Sequence, residues 1–147
     1  MTINLSTTAL IDKIAQDLGF TEISNLTDSI LIKNKELISI ATFLKNTPKF
    51  DFQMLVSITA VDYIEYFEIV YHLLSIQHNQ RAILKLRCYD RESPSVPSVV
   101  TIWPGAELQE REIWDLMGIQ FTQHPNMKRI LLWEDFKGHP LRKDYLR

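Results

Sequence analysis

The sequence has 147 residues, 46% of them hydrophobic, enough for one domain that buries roughly 68–70% of its unfolded surface and too little for a second core. Its 18 acidic residues nearly balance 16 Lys and Arg, so the overall field favours neither nucleic acid nor an anionic membrane. Cys88 is the single cysteine, which excludes an internal disulfide, a Cys-rich zinc site and an iron–sulfur cluster held by this chain's thiolates alone, and fits a reducing, cytoplasmic setting.

The first ten residues carry no basic residue ahead of an apolar stretch and no small-residue cleavage site, so neither a secretory signal nor a transit peptide is predicted. From Ser6 or Thr7, the residues Leu10, Ile11, Ile14, Ala15 and Leu18 form one helical stripe, and Gly19 offers the C′ residue that ends it. Phe20 to Asn25 and Ser29 to Lys33, separated by Leu-Thr-Asp, read as a hairpin. A second helix is predicted after Asn34 from Leu37, Ile38, Ile40, Ala41 and Leu44, and it ends at Asn46-Thr-Pro48 because proline cannot continue the ladder.

Met54 to Val61, Phe67 to Ile76 and Ala82 to Tyr89 are three β-prone runs divided by polar turns, the pattern of an antiparallel meander. The first of them, broken by Ser57 and Thr59, is among the longest apolar runs and falls far short of the roughly 20 residues a spanning helix needs. Any membrane location is therefore expected only indirectly, through a partner. In the third run Leu84, Leu86 and Cys88 alternate with Ile83, Lys85, Arg87 and Tyr89, which places the thiol on the apolar side as a small buried hydrophobe.

Asp90 to Ser98, with Pro94 and Pro97, is predicted as a loop, and a third helix runs from near Pro104-Gly105 to Gly118. The order α-β2-α-β3-α implies a two-layer α+β domain over residues 1–118, with helices on one face of a mixed or mainly antiparallel sheet. Residues 119–147 read as an extended tail: Ile119-Gln-Phe121 is briefly extended, then come His124-Pro125, Gly138-His-Pro140 and a charged end. The tail holds too few apolar residues for a core of its own and too many for a solvated segment, among them Met127, Ile130, Leu131, Leu132, Trp133, Phe136, Leu141, Tyr145 and Leu146. A strap that lies on another protein's surface accounts for both facts.

The third helix carries Glu110, Arg111, Glu112 and Asp115 among Ile113, Trp114, Leu116 and Met117. Two readings are open. The charges form a solvated face in which Arg111 and Asp115, four apart, pair weakly; or Trp114, the guanidinium and the carboxylates anchor an interface. His124 and His139 lie near Glu134 and Asp135, but without a His-x-x-x-His or Glu-x-x-His pair they read as structural or interface histidines rather than metal ligands. Six basic residues between Lys128 and Arg147 are interspersed with Glu134, Asp135 and Asp144, and no nucleic-acid module precedes them, so no nucleic-acid partner is expected.

From Glu110 to Leu131 the chain reads E-R-E-I-W-D-L-M-G-I-Q-F-T-Q-H-P-N-M-K-R-I-L. This resembles the signature of the NuoC family, the mitochondrial 30-kDa-type subunit of NADH:quinone oxidoreductase, with Glu110, Arg111, Glu112, Asp115, Leu116, Met117, His124, Lys128, Ile130 and Leu131 at its positions. The likeness continues through Gly138-His-Pro-Leu-Arg-Lys-Asp-Tyr145, Ala60-Val-Asp-Tyr63, Val70-Tyr-His-Leu73 and Ser98 to Gly105. Leu108 departs from it, standing where the family often has Trp.

The resemblance implies a structural subunit of the peripheral, cytoplasm-facing arm of a proton-translocating respiratory complex I. It would pack against the NuoD-type subunit near the quinone site, beside the NuoB-type subunit that bears the terminal iron–sulfur cluster. It implies no catalytic, cofactor or metal site in this chain; NADH, FMN, iron–sulfur clusters and quinone would belong to the rest of the complex. Partner-interface candidates are Glu110, Arg111, Glu112, Trp114 and Asp115 on the helix; His124, Pro125, Lys128, Arg129 and Trp133 after it; and His139, Pro140, Leu141, Arg142, Lys143, Asp144 and Tyr145 at the end. Small subunits of membrane-bound nickel–iron hydrogenases and formate hydrogenlyase are similar to NuoC and share the Glu-Arg-Glu block, which keeps that complex as the alternative.

Overall fold

A computed structural model describes residues 1–20 and 22–146; Thr21, within the first predicted hairpin run, and Arg147, one of the six basic tail residues, lie outside the described residues. The elements are β1 (Ile3–Asn4), α1 (Thr7–Leu18), β2 (Ser24–Leu26), β3 (Ser29–Ile32), α2 (Leu37–Asn46), β4 (Met54–Asp62), β5 (Phe67–Ser75), β6 (Gln80–Cys88), β7 (Ser95–Pro97), α3 (Ala106–Met117) and β8 (Gln120–Thr122). The α+β class, the three predicted helices and the antiparallel meander are all present. The first hairpin is tighter than its sequence pattern: Leu26 pairs with Ser29, so only Thr27 and Asp28 form the turn.

The main sheet runs β2-β3-β6-β5-β4, with β1 also pairing in parallel to the start of β6. The sheet is mixed because β3 lies parallel to β6. Registered rows fix one apolar face. Ile30, Leu84, Tyr71 and Ile58 line up across four strands, as do Ile32, Leu86, Ile69 and Ala60. Alternation puts these side chains on one side, where α1 contributes Leu10 and Ile14, α2 Leu37, Ile40, Ala41 and Leu44, and α3 Ile113 and Met117. Truncating a buried leucine of such a row, Leu84 for example, removes about 2–5 kcal/mol. Cys88 is buried in the same cluster, as its alternation required.

The predicted Asp90–Ser98 loop contains a strand: β7 pairs in parallel with β8 as a separate two-stranded sheet. Its three residues include serine and proline and are too short to show a period of two. Ile119 and Phe121 are buried in the main core, so the chain leaves the domain only after Thr122. No described helix is long and apolar enough to cross a membrane.

Candidate interaction site: the strap and its clamps

After β8 the chain forms no further helix or strand among the described residues, yet it is fixed across α3 by side chains at a few positions. We call residues 123–146 the strap. α3 has two buried faces. Ala106, Glu110, Ile113 and Met117 follow the i, i+4, i+7, i+11 spacing of a core stripe, while Arg111, Trp114 and Asp115 lie on the adjoining stripe under the strap. Gly118 ends the helix in the left-handed conformation, φ 73°, and its N–H donates to the Trp114 carbonyl at 2.8 Å.

Asp115 is the centre of the first clamp, with a side chain wholly removed from solvent. Its Oδ2 accepts the consecutive N–H groups of Ile130, Leu131 and Leu132 at 3.1, 2.8 and 2.9 Å, and its Oδ1 accepts from Arg129 at 2.7 Å. Burial pushes this carboxyl up, but the three N–H donors and the Arg129 guanidinium outweigh it and hold it at about 2. Arg129 also donates to the carbonyls of Phe136 and Gly138, at 2.6 and 3.0 Å, and sits 5.7 Å from the Trp114 and Phe136 ring centroids. Arg111 donates to the carbonyls of Lys128 and Arg129, at 3.1 and 3.0 Å, and pairs with Glu107 at 3.5 Å.

These contacts correct two expectations. Arg111 does not pair with Asp115: each is engaged with the strap, and Asp115 takes Arg129 instead. Nor is this a solvated face, since Glu110 and Asp115 have no exposed surface and Arg111 is 9% exposed. The strap's main-chain donors and acceptors provide the compensation that lets Arg111 and Asp115 be buried there. The tail therefore finds its polar support on its own domain, not on the companion surface that its composition predicts.

Both histidines of this segment are tied to the main chain. His139 donates from Nδ1 to the Asp115 carbonyl at 2.9 Å and meets the Trp114 ring edge-on at 5.8 Å. It passes so close to Gly118 that a Cβ there would lie 2.6 Å from the imidazole. His124 accepts the Asn126 N–H at Nδ1, which leaves Nε2–H to donate to the Glu107 carbonyl at 3.0 Å and defines the neutral tautomer. Its 3.9 Å approach to Glu110 is therefore not an ion pair in this state. Glu110 accepts from the Ser98 hydroxyl at 2.6 Å and the Val99 N–H at 2.8 Å, and burial pushes its carboxyl up despite them. Among the described residues no three His, Cys, Asp or Glu side chains converge as metal ligands.

A second clamp fastens the end of the strap. Asp62 accepts both terminal nitrogens of Arg91, at 2.7 and 3.0 Å, together with the N–H of Ile64 at 2.7 Å and of Lys143 at 3.0 Å. The Arg91 guanidinium holds its carboxyl well below the usual carboxylate range. Arg142 donates to the Arg91 carbonyl at 2.9 Å, and Asp144 bridges Arg142 and Arg91 at 2.8 and 3.0 Å. Leu141 adds a main-chain bond to Leu116 at 2.9 Å, and Tyr145 stacks on Phe136, 6.4 Å between centroids.

The structure thus gathers Arg111, Trp114, Asp115, Arg129 and His139 in one clamp and Arg142, Asp144 and the Lys143 main chain in the other. Glu112, Pro125, Lys128, Trp133 and Leu141 point outward, with Trp133 68% and Leu141 60% exposed, and Pro140 is half-buried. Asp62 and Gly138 fall within the blocks that carry the family resemblance but are not among the interface candidates, and neither are Arg91 and Glu107. Asp62 had a signal, because a carboxylate at the end of an inward-facing register demands a buried cation. Arg91 had none, standing in a loop 29 residues away.

With this geometry in place, the sequence matches the family model described as the respiratory-chain NADH dehydrogenase 30 Kd subunit over residues 30–147, which includes both clamps and the whole strap. The C-type subunit of NADH-quinone oxidoreductase from Roseiflexus sp. (strain RS-1) is 44% identical over 119 residues, covering 79% of this chain and 68% of that protein. Its counterpart from Moorella thermoacetica is 45% identical over 119 residues, 80% of this chain and 78% of its own length. Among solved structures, a chain of the membrane-bound sulfane sulfur reductase, an archaeal respiratory membrane complex, has the same fold, with a TM-score of 0.75 at 24% identity over 94% of this chain and 84% of that one.

Proposed function

Because the chain belongs to the family of the 30 kDa subunit of respiratory-chain NADH dehydrogenase, we propose that it is a non-catalytic structural subunit of the peripheral arm of a proton-translocating NADH:quinone oxidoreductase. It packs through its strap against the NuoD-type subunit near the quinone site, with the NuoB-type subunit alongside. It sits on the cytoplasmic side of the membrane and reaches the bilayer only through the complex. NADH, FMN, the iron–sulfur clusters and quinone are bound by its companions.

The observation that carries this reading is how the strap divides its groups. Its polar main chain is spent inward on Asp115, Arg111 and Asp62. Part of its apolar surface faces out: Leu131 is 62%, Trp133 68%, Leu141 60% and Leu146 92% exposed, while Met127 packs against the core and Phe136 stacks on Tyr145. A segment fixed in place with several large apolar side chains in water is a preorganised docking surface, and preorganisation lowers the entropic cost of binding. Trp is among the residues that dominate interface energies.

Affinity capture of the full chain followed by mass spectrometry is expected to recover NuoD-type and NuoB-type subunits, with Trp133→Ala reducing recovery of the NuoD type by about thirtyfold, the effect of losing a hot-spot side chain. Undiminished recovery with Trp133→Ala would remove the strap from the interface. Recovery of a nickel-ligating large subunit in place of the NuoD type would assign the chain to a hydrogenase-type complex.

A further inference from the structure

The hairpin between β4 and β5 holds an arrangement the fold itself does not require. Four non-glycine residues have positive φ among those described, Asp51, Ile64, Asn79 and Gln123, and Ile64 is the β-branched one. At φ 72° its Cβ crowds the following carbonyl, and branching at Cβ makes that conformation a genuine outlier. Nothing inside the domain calls for isoleucine there. Its side chain is 61% exposed, and its bonds to Asp62 and Arg91 are made by the main chain, which any residue supplies.

Around it, Tyr63 and Tyr66 rings lie 5.2 Å apart and Tyr66 and Tyr89 5.4 Å, with Tyr63 48% and Tyr89 66% exposed. The adjacent charged groups are paired: Asp62, Arg91, Arg142 and Asp144 pair among themselves, and Arg87, which lies over the Tyr66 ring, pairs with Glu68. The same Asp62 carboxylate that takes the Ile64 N–H also takes the Lys143 N–H, so the hairpin tip and the end of the strap form one rigid piece.

We propose that Ile64 is a docking knob, inserted into an uncharged, aliphatic pocket of the companion subunit that receives the strap. This rests on the strap-docking reading above. Strain and an exposed aliphatic side chain are both penalties in the free chain, and one contact relieves the second while exploiting the first. The charge pairing leaves no attraction for anionic headgroups, and the Asp62 weld sets the knob in fixed register with the strap, as a single rigid partner requires.

The test uses the full chain co-expressed with its NuoD-type companion. Asparagine enters the left-handed region readily, so Ile64→Asn is expected to raise the melting temperature by about 2–4 °C while weakening capture of the companion at least tenfold; Ile64→Val, which keeps an aliphatic knob, is expected to retain capture. Unchanged capture with Ile64→Asn overturns the proposal, as does a melting temperature lowered in step with capture, which would make Ile64 a residue of the fold. Should Trp133→Ala lose capture and Ile64→Asn keep it, the strap reading stands and the knob alone falls. Failure of the wild-type chain to capture the companion overturns the strap reading itself. If Ile64→Asn instead splits a self-associated chain into monomers with capture intact, the pocket belongs to a second copy and the proposal is wrong.

Discussion

Asp115 shows how one side chain organises a segment without secondary structure. A carboxylate that accepts three successive N–H groups acts as an anion held in a main-chain nest, here supplied by the protein itself. Asp115→Asn leaves the Arg129 charge buried without its partner, and breaking such a pair costs about 3 kcal/mol. The sign of the pH effect follows from the carboxyl's depressed position. Its stabilising contribution is complete above the ordinary carboxylate value of 3.8 and disappears as pH falls through about 2. Asp62 and Asp144, also held low by arginines, act in the same direction, whereas Glu110, raised by burial, favours the fold as it becomes protonated. Fluorescence of Trp114 and Trp133 is expected to report release of the strap between about pH 4 and pH 2 in the wild type. In Asp115→Asn the strap is expected to be loosened already at neutral pH; matching acid profiles for the two proteins would remove Asp115 from this role.

At the scale of elements, α3 is the piece the sequence described least completely. Its boundaries were readable from Pro104-Gly105 and Gly118, whereas the division of its apolar residues between core and strap was not. Arg111 and Asp115 belong to a second buried face, and a hydrophobic period cannot reveal a face whose compensation is polar. The partners of Arg111 and Asp115 are main-chain groups of residues 128–132, and main-chain groups leave no mark in a sequence. Gly118 joins both faces. The positive φ expected of a C′ glycine is present, and the His139 ring adds a contact that no local rule contains. Gly118→Val therefore meets left-handed strain and a collision together. A loss of about 2 kcal/mol or more is expected, measured by thermal unfolding, and a wild-type melting temperature would show that the helix end and His139 adjust freely.

Over the whole molecule, the order of the three helices and of the meander strands, and the inward set of β6, were legible because they rest on periods of two and 3.6 in apolar residues. The parallel β3–β6 pairing, the short β1 and β7 and the two clamps were not, because each joins residues far apart in the chain through main-chain bonds or single ion pairs. The strap itself is recognisable from its excess of apolar residues, but composition alone puts its support on the wrong surface. Its polar groups bind its own domain, and Leu131, Trp133 and Leu141 among its apolar side chains remain exposed. The family to which the chain belongs is that of a subunit of respiratory-chain NADH dehydrogenase.

The clamps hold this exposed surface in place on the isolated chain. Amide hydrogen exchange on the isolated chain at neutral pH tests this at the N–H groups of Ile130, Leu131 and Leu132, whose acceptor is the Asp115 carboxylate. These amides are expected to exchange at least a hundredfold more slowly than an unstructured peptide, an opening free energy of about 3 kcal/mol, and to lose that protection in Asp115→Asn. Exchange of all three at the unstructured rate in the wild-type chain would show that Asp115 does not hold the strap on the isolated domain.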